Sequence, residues 1–397
     1  MRWIMSPGLM SLVLGYTLSQ FYRAFLAVLS PTLGAELGAG PADLALSSGL
    51  WYIAFAAVQI PVGWALDRFG PRETVAALLG LGGCGGALVF ALAQTPWHIH
   101  LAMALLGIGC APVMMGSFYI FARTLPPASM SAAGGAVVGI GSLGNMLGAA
   151  PLVWVINGIG WRASLAGLAV VTLLVSLAIL ALVRNPDKPG GQGRPARLRD
   201  LLAVRELRLI LPLLGVTYAA SACIRGLWAG PFLSEVYGAG DYLIGWVTLG
   251  MGLAMVTANL SVGWIVRVMG SDKRTSVANT LLLCLVLAGL WLGSGESLLL
   301  SGALLVMVCI SDSSYSLIMS HGRAFLPHHL VGRGITFMNM VSISGVGIMQ
   351  FLSRPVYLSA QASHPAAEAY GHIFLFFLVP LAVGLAFYLF SAENRHA

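Results

Sequence analysis

Apolar runs of roughly 20 to 25 residues recur along this chain, each ended by charged residues or by Pro and Gly. A helix rises about 1.5 Å per residue, so one run covers the roughly 30 Å of hydrocarbon in a bilayer. Inside hydrocarbon each backbone N–H and C=O needs a partner within its own segment, which makes the helix the form such a run adopts. Twelve runs are predicted, at about 8–33, 43–65, 73–93, 98–121, 129–153, 161–183, 208–232, 242–266, 275–294, 297–320, 331–356 and 369–391. The expected fold class is an all-α integral membrane protein with twelve transmembrane helices. Composition agrees, because 58% hydrophobic and 9% charged residues leave too little polar surface for a water-soluble globule of 397 residues.

With the N-terminus inside, every Lys and Arg except Arg23, Arg162, Arg225 and Arg354 falls at a cytoplasmic end or loop. Both termini are then cytoplasmic, in a bacterial-type inner membrane that the chain crosses many times. The net charge of +7 reflects this topology and is no footprint of a nucleic-acid partner. Residues 1–33 run well past the short apolar region of a cleavable signal and read as the first span. Cys84, Cys110, Cys223, Cys284 and Cys309 all lie in apolar runs without a C-x-x-C pair, which predicts neither disulfides nor a zinc site. The runs "GLGGCGGA" and "GGAVVGIGSLGNMLG" sit within apolar helices, where small residues let helices approach closely, and no Walker Lys follows them. No cofactor and no catalytic constellation is expected, so the chain does not read as an enzyme.

The segment "VGWALDRFGPR" at 62–72 half-recurs as "VGWIVRVMGSDKR" at 262–274. At the same offset "FARTLP" (121–126) answers "HGRAFLP" (321–327), and Arg23 answers Arg225. The polar stretch "RNPDKPGGQGRPARLRD" at 184–200 is too hydrophilic to cross a membrane. The chain is therefore expected to hold two pseudo-symmetric six-helix bundles, 1–183 and 208–397, joined by a cytoplasmic linker at 184–207. That is the parallel repeat of a rocking transporter.

Gly63, Asp67, Arg68, Gly70 and Arg72, between spans 2 and 3, resemble the loop motif of the major facilitator superfamily, and the resemblance extends over essentially the whole chain. The glycines permit a tight turn, the arginines hold the loop inside, and Asp67 can face the positive end of a neighbouring helix. The resemblance implies that Asp67 latches the cytoplasmic side while the site is open outward. The second copy has Arg267 in place of the acid, and Pro71 stands at a usually basic position. Two other family patterns are broken: Met103 replaces the Arg common in span 4 of proton-coupled members, and Gly144-x-x-x-Gly148 is followed by Ala149-Ala150-Pro151 rather than directly by Pro. Both departures count against drug efflux.

A charge inside a span costs several kcal/mol and is a functional candidate by default. Arg23 and Arg225 stand at corresponding depths in spans 1 and 7, and are expected to face one central cavity. Their forked donors suit a carboxylate or phosphate. "YR" with Pro31 eight residues after Arg23, and Pro231 six after Arg225, resemble the organic-phosphate and anion:cation symporter branches of the superfamily. Asp312, the only acidic residue deep in a span, is the candidate for proton coupling, with a permanent Asp–Arg pair that holds the interface shut as the alternative. Gln20, Tyr22, Gln59, Asn145, Asn259, Tyr315, Asn339 and Gln350 have the depth to complete the cavity, although helix–helix hydrogen bonding uses the same residue types. Arg354, just before Pro355, reads as an outer-interface residue, with a third cavity charge as the alternative.

The function expected is secondary-active transport of a small organic anion, a carboxylate first, by alternating access with a proton as the coupling ion. The chain is expected to act as a monomer in the lipid bilayer. One rival is efflux of apolar or cationic compounds. Another is copper import, since Met251 and Met255 share a helix face and His98 and His100 lie close in sequence; Met is also a common gap-filler, so no metal site is assigned.

Overall fold

The computed structural model describes residues 6–124, 137–186, 201–326 and 331–393, apart from the side chains at 122, 312, 331–333 and 336. The described residues are helical almost throughout and contain no strand. The "FARTLP" and "HGRAFLP" tails, residues 129–136 of the expected fifth span and most of the linker lie outside them.

Two compact units divide the chain, one taking in residues 1–191 and the other nearly all of 192–397. The first opens with α1 (Pro7–Ala24) and α2 (Leu26–Leu37), then α3 (Pro41–Ala57) and α4 (Gln59–Arg68). α5 (Pro71–Leu78) runs through a π-helical turn at Leu79–Cys84 into α6 (Gly85–Ala91), and α7 (Pro96–Thr124) follows. α8 (Leu143–Leu147), α9 (Ala150–Ile159) and α10 (Trp161–Leu182) complete it, with α1 packed on α7, α8 and α10.

In the second unit α11 (Arg205–Cys223) passes through a π-helical turn, Ile224–Trp228, into α12 (Ala229–Tyr237). Then come α13 (Asp241–Met269), α14 (Asp272–Leu292) and α15 (Leu298–Ile310). A 3-10 turn at Ser311–Ser313 leads to α16 (Ser314–Ala324), and α17 (Val331–Gln361) and α18 (Ala366–Leu389) close the chain. α11 packs on α17 and α18.

Among the described residues, eight helices are long and apolar enough to span a membrane, and three bent pairs raise the number to 11. α17, the eleventh expected span, is 31 residues long but less apolar, because it carries Arg333, Asn339, Gln350 and Arg354.

The three bends, of 51°, 41° and 45°, have prolines as their causes. A proline cannot donate to the carbonyl four residues back and pushes against it. Pro61 and Pro151 release the carbonyls of Ala57 and Leu147, and the helices break at those points. Pro31 releases Ala27, whose oxygen accepts instead from Ser30 Oγ at 2.9 Å. Close approach of helices rests on glycine: a Cβ at Gly109 would collide with the backbone of Gly83, and one at Gly345 with the oxygen of Gly215.

Candidate functional site

In the first unit, successive residues of α1 face different ways, because each step turns the helix by about 100°. Tyr16, Gln20 and Arg23 share one side. Gln20 Nε2 donates to Tyr16 Oη at 2.6 Å, and Asn145 Nδ2 of α8 donates to Gln20 Oε1 at 3.3 Å. Arg23 lies over the Trp51 and Phe55 rings, 4.8 and 5.3 Å from their centroids. Those two rings stack on each other at 5.1 Å with planes 20° apart. The guanidinium thus rests on an aromatic platform whose π-faces attract a cation and leave the fork's N–H edge for hydrogen bonding.

Tyr22 points elsewhere. It is fully buried and bonds Thr172 Oγ1 of α10 at 2.8 Å. Thr172 donates its proton to the Leu168 oxygen, so Tyr22 is the donor to Thr172. Gln59 starts α4 at the 41° break, half-buried.

In the second unit Arg225 lies within the π-helical turn and is 4% exposed. An extra residue in a helical turn displaces the side chains there, and such bulges recur at functional sites. Two turns earlier, Tyr218 meets Tyr315 of α16 with ring centroids 5.6 Å apart. Tyr315 Oη donates to Asn339 Oδ1 of α17 at 2.7 Å. Gln350 on α17 is fully buried, yet no protein group bonds its amide oxygen or nitrogen. A buried amide without a partner is destabilising by about 1 to 3 kcal/mol, and an unpaired one asks for a reason. Asn259 is satisfied locally, donating to Met255 O at 2.9 Å. Met251 and Met255 are buried.

Asp312 occupies the 3-10 turn that interrupts the tenth expected span; its side chain is outside the described set. Asn279 of α14 holds this turn. Its Nδ2 reaches Ser311 O at 3.3 Å, Ser313 Oγ at 3.0 Å and Ser314 Oγ at 2.9 Å. Sequence reasoning passed over Asn279, since a lone Asn in an apolar helix carries no motif.

The Gly63–Arg72 loop is tied within its own unit. Asp67 approaches Arg123 Nη2 at 3.9 Å, an exposed pairing with a side chain at the end of α7 where a helix N-terminus was expected. Arg123 also covers the Tyr119 ring at 3.5 Å. Gly70 has φ +97, and a Cβ there would stand 2.5 Å from the Asn185 side chain. Asn185 accepts from the Arg72 N–H at 2.9 Å and donates to Glu73 Oε2 at 2.6 Å, while Arg72 Nε donates to Leu180 O at 2.6 Å. Arg68 is exposed. At the other end of this unit Arg162 bonds Glu36 Oε2 at 2.5 Å, which also accepts from Trp161 Nε1 at 2.9 Å. Arg162 is therefore structurally engaged.

A family model described as Major Facilitator Superfamily matches residues 12–349. The chain belongs to the Major Facilitator Superfamily. Like this member, a solved bacterial homologue of the human lysosomal transporter Spinster has the same fold, with TM-score 0.75, 17% identity and coverage of 97% of this chain and 96% of that one. A D-xylose–proton symporter gives TM-score 0.72 at 14% identity, covering 94% and 96%. In sequence, a quinolone resistance transporter of Acinetobacter baumannii is 28% identical over 185 residues, 45% of this chain and 42% of the relative. A probable sulfoacetate transporter, SauU, of Cupriavidus necator is 25% identical over 182 residues, 46% of this chain and 42% of that one. The sequence match thus spans less than half the length of these curated relatives.

Proposed function

We propose that this superfamily member is a secondary-active transporter that moves a small organic anion, a carboxylate first, by alternating access in a bacterial-type inner membrane. Arg23 and Arg225 are the anion-binding groups. Gln20, Gln59, Tyr315, Asn339 and Gln350 complete the binding set, and Tyr22 acts from behind by fixing the rotation of α1 against α10. Asp312 carries the coupled proton, and Asp67 with Arg123 takes part in closing the basic end.

The observation that carries this reading is Arg225, a guanidinium 4% exposed within a helical bulge of an apolar span. A buried cation in such a span is stabilised by an anion more than by any apolar or cationic cargo. Gln350 supports the reading too, because its unbonded amide hydrogens suit an anionic oxygen. The name of the Cupriavidus relative points the same way. That of the Acinetobacter relative favours a second reading, drug efflux. A thermal-shift screen of the purified protein against carboxylates, sulfonates, phosphates and organic cations separates them, since a bound ligand raises the melting temperature by mass action. Anions should shift it. A response confined to cationic or apolar compounds would refute the anion reading.

A further inference from the structure

We propose that His364 and His372 form a binding site for a divalent transition-metal ion at the turn between α17 and α18. His364 follows the end of α17 and His372 lies in the second turn of α18. Their rings stand 4.8 Å apart, centroid to centroid, with planes at 49°. His364 is exposed and His372 half-buried, so water and ions reach them.

Each ring has a backbone carbonyl beside its Nδ1. His364 Nδ1 lies 3.2 Å from Ala360 O, and His372 Nδ1 lies 2.9 Å from Glu368 O. A carbonyl oxygen only accepts, so each contact is a hydrogen bond in the tautomer that carries its proton on Nδ1. Ser363 is consistent: its hydroxyl donates to Ser359 O, leaving its oxygen to accept from His364 Nδ1 at 2.8 Å. In the neutral rings both Nε2 atoms then carry lone pairs. A backbone carbonyl on the far nitrogen is the arrangement that orients metal-ligating histidines and raises their basicity.

First-row cations sit about 2.0 to 2.1 Å from imidazole nitrogen. Two ligands on one ion therefore have nitrogens about 3 Å apart, a separation that rings this close reach by small side-chain rotations. Among the described residues no His, Cys, Asp or Glu supplies a third ligand. Water would fill the remaining positions, as suits Ni²⁺, Cu²⁺ or Zn²⁺ on two imidazoles. The ion would be a clasp joining α17 to α18. It is no cargo, since the pair lies at the end of the second unit remote from Lys273, whose Nζ bonds Leu389 O at the far end of α18.

The test is calorimetric titration of the tag-free, full-length protein in detergent with Ni²⁺ alone, then with Zn²⁺. One saturable site is expected, and His364→Ala and His372→Ala should each weaken it by about tenfold or more. His98→Ala serves as a control and should bind like the parent. Hydrogen exchange across residues 360–372 should slow on adding Ni²⁺ to the parent and stay unchanged in the two variants. No saturable binding by the parent below about 1 mM would overturn the proposal. So would undiminished affinity in both variants.

Discussion

Gln350 and Gly70 show two ways in which one residue departs from the rule its surroundings set. Gln350 is an amide in an apolar environment that no protein atom satisfies. Replacing it with an apolar side chain of similar length removes the desolvation penalty, so Gln350→Met should melt at the same temperature as the parent or higher. Anion affinity of that variant should fall by about 1 to 3 kcal/mol. A variant of unchanged affinity would leave Gln350 outside the binding set. Gly70 departs through its backbone. Its φ of +97 is closed to other residues without strain, and Asn185 fills the space where a side chain would go. Gly70→Ala should therefore lower stability by about 1 to 3 kcal/mol. The check is a melting curve, in which an unshifted transition would mean that Asn185 moves aside freely.

At the scale of elements, the interruptions of the helices were harder to read than the helices. Apolar runs located the spans, although the fifth begins outside the described residues and runs on to Ile159 where 153 was expected; hydrocarbon leaves a backbone no alternative to the helix. The bends at Pro61 and Pro151 were not foreseen, although each follows from a missing N–H whose address lies four residues back. The π-helical turn around Arg225 had no such mark: Cys223 Sγ just before it reaches Val346 O at 3.6 Å and Trp228 Nε1 at its end donates to Ser353 Oγ at 3.1 Å, both on α17, contacts that no local pattern encodes. The same holds for the 3-10 turn at Asp312, held from another helix by Asn279. Arg23 and Arg225 were legible as charges out of place. The aromatic platform under Arg23 was not, because Trp51 and Phe55 read as ordinary span residues.

These turns make a prediction of their own. Asp312→Asn should abolish accumulation of substrate driven by a pH gradient and preserve exchange of substrate across the membrane, as measured in proteoliposomes. Asn279→Ala frees three acceptors at the turn and should weaken pH-driven accumulation without changing equilibrium affinity. Full pH-driven accumulation by the Asp312 variant would place the proton elsewhere.

On the scale of the whole molecule, the distribution of Lys and Arg makes a statement about sidedness that is independent of substrate. Reporter fusions at residues 190 and 395 should both report the cytoplasm, and one after residue 364 should report the outside. A linker at 184–207 found outside would invert the topology and move every assignment of inner and outer end with it. Family membership itself does not depend on that outcome, because it rests on a match from residue 12 to 349.

The central claim is that Arg23 and Arg225 bind the anionic group of the substrate. Affinity for the best anion from the thermal-shift screen, measured by calorimetry on the parent and on single variants, tests it most directly. Arg23→Ala and Arg225→Ala should each reduce binding by about 2 to 5 kcal/mol, because truncation leaves the anion short of a charge-assisted partner. Arg→Lys at either position should recover part of the loss, restoring the charge without the two-pronged geometry. If both alanine variants bind the anion as tightly as the parent, the arginines are structural and the anion-transport account is wrong.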